Sequence, residues 1–164
     1  QLTEHYYALS RRYHPDFFHQ AAASERVAAL RRSAAVNEAY NVLRDPYQRG
    51  RWWLDQQGGQ FSQDSTVPTD LIVLVFEVQD ILREQVESDG PIDMTVVAQS
   101  RAEVDGIMAS RLNTLTENFQ GWDKRASGEA DIKLLDQLRT TLASISYIKT
   151  LLKDIDATIE KADE

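Results

Sequence analysis

A chain of 164 residues with 42% hydrophobic content fills one moderate core or two small ones, which argues against a single large catalytic fold. It has no Cys and only three His, which excludes disulfide frameworks and thiolate metal sites; His5, His14 and His19 lack metal-ligand spacing. The net charge of -8 disfavours general binding to nucleic acid or to an anionic membrane, and it is unevenly divided. Residues 1–60 hold eight Arg against six Asp or Glu, whereas the other 104 residues hold 10 basic and 20 acidic side chains. A net of +2 beside a net of -10 points to two surfaces with two different partners.

The chain opens at Gln1 with neither a signal-peptide layout nor a transit pattern, and no apolar run approaches the roughly 18 to 20 residues of a membrane span. Leu2, Tyr6, Leu9 and Tyr13 are spaced as one helical stripe, and Pro15 ends that helix near His14. Ser24 is the expected cap of a long helix reaching about Arg44, with Val27, Leu30, Ala34, Ala35 and residues 37–43 on its apolar side. Asp45-Pro46 reads as a cap followed by proline at the first helical position, opening a short helix with Trp52, Trp53 and Leu54 that Gly58-Gly59 ends.

Residues 60–68 are polar and turn-rich and form the expected boundary. This gives domains at 1–58 and 70–164 with a linker at 59–69. Thr69 or Asp70 is the expected cap of a helix to about Ser88, broken by Asp89-Gly90-Pro91. A second helix is expected from about Ile92 to Asn118, and a third, after Gly121 and Gly128, to about Lys161. Three helices with short connections pack as an antiparallel bundle, so the fold class is all-α throughout.

Two places carry exposed chemistry. In Arg11-Arg12-Tyr13-His14-Pro15-Asp16 a helix ends in two cations, and a turn then displays an imidazole and a carboxylate about a rigid proline. Helix-end Arg and turn Asp also have an ordinary structural explanation. The second place is residues 71–88. At 100° per residue, Leu71, Leu74, Val75, Val78, Ile81 and Leu82 fall on one side, while Ile72, Val73 and Phe76 fall opposite with Glu77, Asp80, Glu84 and Glu87. That second stripe is either covered by another part of the chain or is a protein-binding patch, with an apolar centre for affinity and an acidic rim that selects a basic partner. No nucleophile–base pair, glycine-rich phosphate loop or paired-carboxylate site is organised anywhere.

The order of a basic helix, an His-Pro-Asp (HPD) turn, a long helix and then Asn37-Glu38-Ala39-Tyr40-Asn41-Val42-Leu43-Arg44-Asp45-Pro46, with Arg49 following, resembles a J domain, the module that activates heat-shock chaperones of the DnaK class. With Arg49-Gly50-Arg51-Trp52-Trp53-Leu54 and the acidic bundle, the whole resembles the HscB family, J-type co-chaperones of iron–sulfur cluster assembly. The resemblance implies an L-shaped pair of domains, the J domain lacking its first helix in this chain. It implies a non-catalytic adaptor with no cofactor and no metal. His14, Pro15 and Asp16, with Arg11 and Arg12 beside them, would contact an ATP-bound DnaK/HscA-type chaperone. Ile72, Val73, Phe76, Glu77, Asp80 and Glu84, with Tyr147 from the last helix, would hold an IscU-type scaffold, although a core position for Tyr147 fits its spacing equally well. The family further implies a monomer or weak dimer, cytoplasmic if bacterial and in the mitochondrial matrix if eukaryotic. The alternative is a general J-domain co-chaperone for unfolded clients, against which the lack of Gly/Phe-rich and Cys-rich segments counts.

Overall fold

In the computed structural model, residues 1–58, 69–88, 90–124 and 132–162 are described. Every regular element among them is helical: α1 (Leu2–Arg12), α2 (Ala23–Arg44), α3 (Pro46–Gln56), α4 (Ile72–Glu87), α5 (Met94–Lys124) and α6 (Ile132–Ala162), with short 3₁₀ turns at Pro15–Phe18 and Thr69–Leu71. Contacts divide the chain into two compact units, Gln1–Trp53 and Leu54–Glu164. The expected linker lies, apart from Thr69, outside the described residues, as do Asp89 and Gly128; the break expected at Asp89-Gly90-Pro91 is present, since α4 ends at Glu87 and Gly90 and Pro91 are not helical.

In the first unit α1 packs on α2 through aromatic contacts. The Tyr6 ring stacks on Tyr40 at 4.0 Å between centroids, and the Tyr6 hydroxyl donates to Asn37 Oδ1 at 3.1 Å. The stripe expected on α1 is only partly used, because Tyr6 and Tyr13 are half-buried while Leu9 is exposed. On α2 the expected apolar face is corrected. Val27 and Leu30 are exposed, and the side turned inward carries Ala29, which is buried, with Ser33, Val36 and Tyr40 half-buried. A helix with one main packing partner hides the stripe that meets that partner, and here the small Ala29 and Ser33 admit close approach while Tyr40 meets Tyr6.

Helix starts show which caps are local. Asp45 caps α3 as expected: its Oδ1 accepts from the backbone N–H of Tyr47 at 2.8 Å and of Gln48 at 3.1 Å. Gly58, in the left-handed region at φ 74, follows the end of α3, a conformation that glycine adopts without a Cβ penalty. Ser24 is not a cap, since α2 starts one residue before it and its cap position is Ala22, with no side-chain hydrogen bond. Nor does Thr69 or Asp70 cap α4. A 3₁₀ turn occupies Thr69–Leu71, and the cap position is Leu71, again without a side-chain bond. Both helices are held by packing and need no cap bond to start.

The second unit is built on α5 and α6. Arg101 pairs with Asp156, Asn118 Nδ2 donates to Thr141 Oγ1 at 3.1 Å, and Gly121 faces Leu134. As the α5 number rises its α6 partner falls, so the two helices are antiparallel. The α5 helix begins at Met94, where Asp93 Oδ1 accepts from the Thr95 N–H at 2.9 Å. It runs six residues past the expected end at Asn118, through Gly121 to Lys124. A helical glycine costs only about 1 kcal/mol, and the half-buried Phe119 and Trp122 lie on the same last turns.

The core joins Leu71, Leu74, Val78 and Leu82 of the α4 region to Val97 and Val104 of α5 and Ile148, Leu151 and Ile155 of α6. Spacings of three and four along α4 are those of a helix burying one stripe. Leu71, Leu74, Val78 and Leu82 are buried, with Val75 and Ile81 half-buried, so the side assigned to the core is the core side. Buried hydroxyls on α6 are satisfied within the helix, Thr141 donating to the Gln137 carbonyl at 2.8 Å and Thr158 to that of Asp154 at 3.1 Å.

Candidate functional site: an HPD turn and an α4–α6 surface

The HPD turn sits directly after α1. Tyr13 closes that helix, its N–H bonding back to the Leu9 carbonyl at 3.0 Å, and Pro15 enters the 3₁₀ turn at its first position. His14 caps the turn: its Nδ1 accepts from the Asp16 N–H at 3.4 Å, the role of a neutral ring protonated on Nε2. The same nitrogen lies 3.6 Å from Asp16 Oδ2. His19 Nδ1 donates to the Asp16 carbonyl at 2.6 Å, which fastens the far side of the turn. The Asp16 side chain itself stands out in solvent, a carboxylate presented on backbone fixed from both sides.

Around it the surface is cationic. Arg11 and Arg12 are exposed, as expected for the end of α1. The structure adds Arg32 of α2: the Arg12 and Arg32 guanidiniums lie 5.5 and 5.6 Å from the centroid of the Tyr13 ring, within cation–π range. Arg11, Arg12 and Arg32 have no ion-pair partner among the described residues. Phe17 is 73% exposed, its ring 6.0 Å edge-on from that of His14. Arg32 is not legible in the sequence as part of this surface, because it lies 16 positions from Asp16 and only the packing of α1 on α2 brings it to Tyr13.

In the second unit, the α4 side opposite the core is open. Val73 and Phe76 are 65% and 64% exposed and Ile72 is exposed to 36%, while Glu77, Asp80 and Glu84 stand beside them in solvent. Within the second unit, the described helices leave Val73 and Phe76 uncovered. Asp80 accepts from Arg83 Nη2 at 2.8 Å; Glu77 and Glu84 have no ion pair among the described residues. Tyr147 of α6 is half-buried against the core cluster. It also lines a cavity of about 260 Å³ with Ile72, Phe76 and Gln79. Tyr147 thus packs inward with one part of its side chain while another part lines the surface cavity. The cavity's polar wall, Gln79, Thr150 and Asp154, was not foreseen, since the register of α6 against α4 is a tertiary fact.

Among the described residues no group of three or more His, Asp or Glu could hold a metal ion, and no helix is long and apolar enough to cross a membrane.

A basic helix leading into an HPD turn, in an all-α chain that continues into a three-helix unit, has the layout of a J-type module followed by a helical bundle. No family model matches the chain. It is 26% identical over 142 residues to the Co-chaperone protein HscB homolog of Photobacterium profundum, covering 84% of this chain and 82% of that protein. Its fold is similar to that of the Chaperone HscB from Vibrio cholerae, with a TM-score of 0.71 at 20% identity over 98% of this chain and 88% of the other. In sequence and in fold, the chain is thus similar to HscB-type co-chaperones.

Proposed function

We propose that this protein is an adaptor that holds an IscU-type scaffold on the exposed side of α4 with Tyr147, and delivers it to a DnaK/HscA-type chaperone whose ATPase it stimulates through the HPD turn. The observation that carries the reading is the presence, in two separate units, of two unlike exposed surfaces. One is a carboxylate among unpaired arginines; the other is an apolar knob of Ile72, Val73 and Phe76 with acids beside it.

Each surface suits one kind of partner. The Asp16 carboxylate, on a turn fixed by proline and two backbone-directed imidazoles, loses little conformational freedom when it pairs with an arginine of the chaperone. Arg11, Arg12 and Arg32 match an acidic surface beside that arginine. On the other unit, burying Ile72, Val73 and Phe76 supplies affinity, and Glu77, Asp80 and Glu84 favour a basic partner. Tethering both partners to one chain raises the local concentration of scaffold at the chaperone's substrate site, and coupling to ATP hydrolysis then retains it there. Such an adaptor works in the cytoplasm of a bacterium or the matrix of a mitochondrion, as a monomer or weak dimer.

The test is a steady-state ATPase assay with the chaperone and scaffold, alone and together with this protein. Stimulation by the adaptor, increased further when scaffold is present, supports the reading. Stimulation by unfolded peptides in place of the scaffold supports the alternative of a general co-chaperone, and no stimulation overturns both.

A further inference from the structure

The cavity at Phe76 and Tyr147 does not stand alone. A second depression of about 300 Å³ lies along the same pair of helices, lined by Leu82, Val86, Glu87 and Thr158 together with Gln79 and Asp154. The last two residues also line the first cavity, so the depressions meet at Gln79 and Asp154. Along α4 the lining residues include Ile72, Phe76, Gln79, Arg83 and Val86, and along α6 they include Tyr147, Asp154 and Thr158. Numbers rise together on the two helices, so α4 and α6 run parallel here and together border both depressions, which form one groove through their shared Gln79 and Asp154. From Ile72 to Val86 it is about 21 Å long at 1.5 Å per helical residue.

The groove has an apolar site at each end and a polar middle. Phe76 and Tyr147 form one end. At the other, Val86 is 47% exposed beside the buried Leu82. In the middle stands Asp154, whose carboxylate has no hydrogen-bond or ion-pair partner among the described residues; its backbone carbonyl also accepts from the Thr158 hydroxyl. The groove's one cation, Arg83, is paired with Asp80, and Glu87 adds a further negative charge. The groove is thus continuous with the proposed scaffold surface and carries an uncompensated negative charge at its centre.

We propose that the scaffold partner occupies the full length of this groove, and that Asp154 is a specificity-determining residue that receives a Lys or Arg flanked on the partner by two apolar side chains, one seated at Phe76 and Tyr147 and the other at Val86. This rests on the reading of α4 and Tyr147 as the scaffold surface and extends it along α6 by two turns, from Tyr147 to Asp154. A charge pair at the open middle of a groove selects among partners more than it adds affinity, and it is screened by salt.

The experiment is calorimetric titration of the full chain with a purified IscU-type scaffold at low and high salt. Asp154→Asn is expected to weaken binding about fivefold and to flatten the salt dependence, Asp154→Lys to weaken it about thirtyfold, and Val86→Ala about threefold. Asp136→Asn, an exposed acid of α6 away from the groove, is the control and leaves binding unchanged. Thermal melting of each variant confirms the fold. Wild-type affinity and salt dependence in both Asp154 variants, while Ala at 72, 73 and 76 still weakens binding about a hundredfold, overturns the groove proposal and leaves the scaffold surface standing. No binding by the wild type overturns both. Concentration-dependent self-association of the wild type that Asp154→Lys removes makes a second copy the occupant and overturns the proposal.

Discussion

The two candidate surfaces are built in opposite ways. The HPD turn is made of consecutive residues, and the unit that carries it is thin inside: of its described apolar side chains only Ala29 and Tyr47 are fully buried, and the α1–α2 packing relies on the Tyr6–Tyr40 stack and its hydrogen bond to Asn37. The α4–α6 surface is made of residues more than sixty positions apart, on helices joined by an aliphatic core of nine buried side chains. Each of those contributes about 1.5–3 kcal/mol on burial, so the second unit can support a surface assembled from distant segments. The first unit needs only to hold a short turn, which proline and local hydrogen bonds already fix.

The comparison breaks most sharply at Asp16. Replacing it with Asn keeps the size and the turn but removes the charge that pairs with the chaperone. Stimulation of the chaperone's ATPase should fall to the unstimulated rate in a steady-state assay, with circular dichroism unchanged. Retained stimulation would sink the role given to the turn.

Next in size is the contrast between the two sides of α4. Ala at Ile72, Val73 and Phe76 together should weaken scaffold binding by about a hundredfold by calorimetry and scarcely move the melting temperature, because these side chains are already in solvent. Leu82→Ala or Ile155→Ala, in the buried core, should instead cost about 2–5 kcal/mol in denaturant unfolding and leave the exposed stripe in place. A large loss of stability in the triple variant would show that the stripe is core.

The smaller effects probe the thin unit. Asp45→Ala removes an oxygen that accepts two backbone N–H groups and should cost about 1 kcal/mol. Tyr6→Phe keeps the stack but loses the bond to Asn37, for about 0.5–1.5 kcal/mol. Amide hydrogen exchange sharpens the same contrast, with the amides of α1 and α2 expected to exchange before those of α5 and α6 around Leu142 and Ile155. Equal protection in the two units would contradict it.

What was legible in the chain follows the same division. The turn at His14–Asp16, the Asp45 cap and the two sides of α4 are local patterns, governed by proline, a side-chain oxygen and a period of 3.6 residues. The misread positions depend on partners. Ser24 has a good capping side chain, yet packing starts α2 just before it. Val27 and Leu30 are apolar, yet they lie off the stripe that meets α1. Gly121 reads as a stop but stays helical where α5 lies beside Leu134.

By itself, then, the sequence determined an all-α chain with a basic half and an acidic half, one HPD turn between two helices, and an apolar stripe on α4 beyond what its core needs. Only the tertiary structure decided that Arg32 joins the cations at Tyr13, that Tyr147 lies partly in the core and partly at the surface, and that Asp154 stands unpaired in a groove beside α4. The physical reason is range. Turn chemistry and helical period act over four residues or fewer, whereas the register between α4 and α6 is set by how the whole core packs.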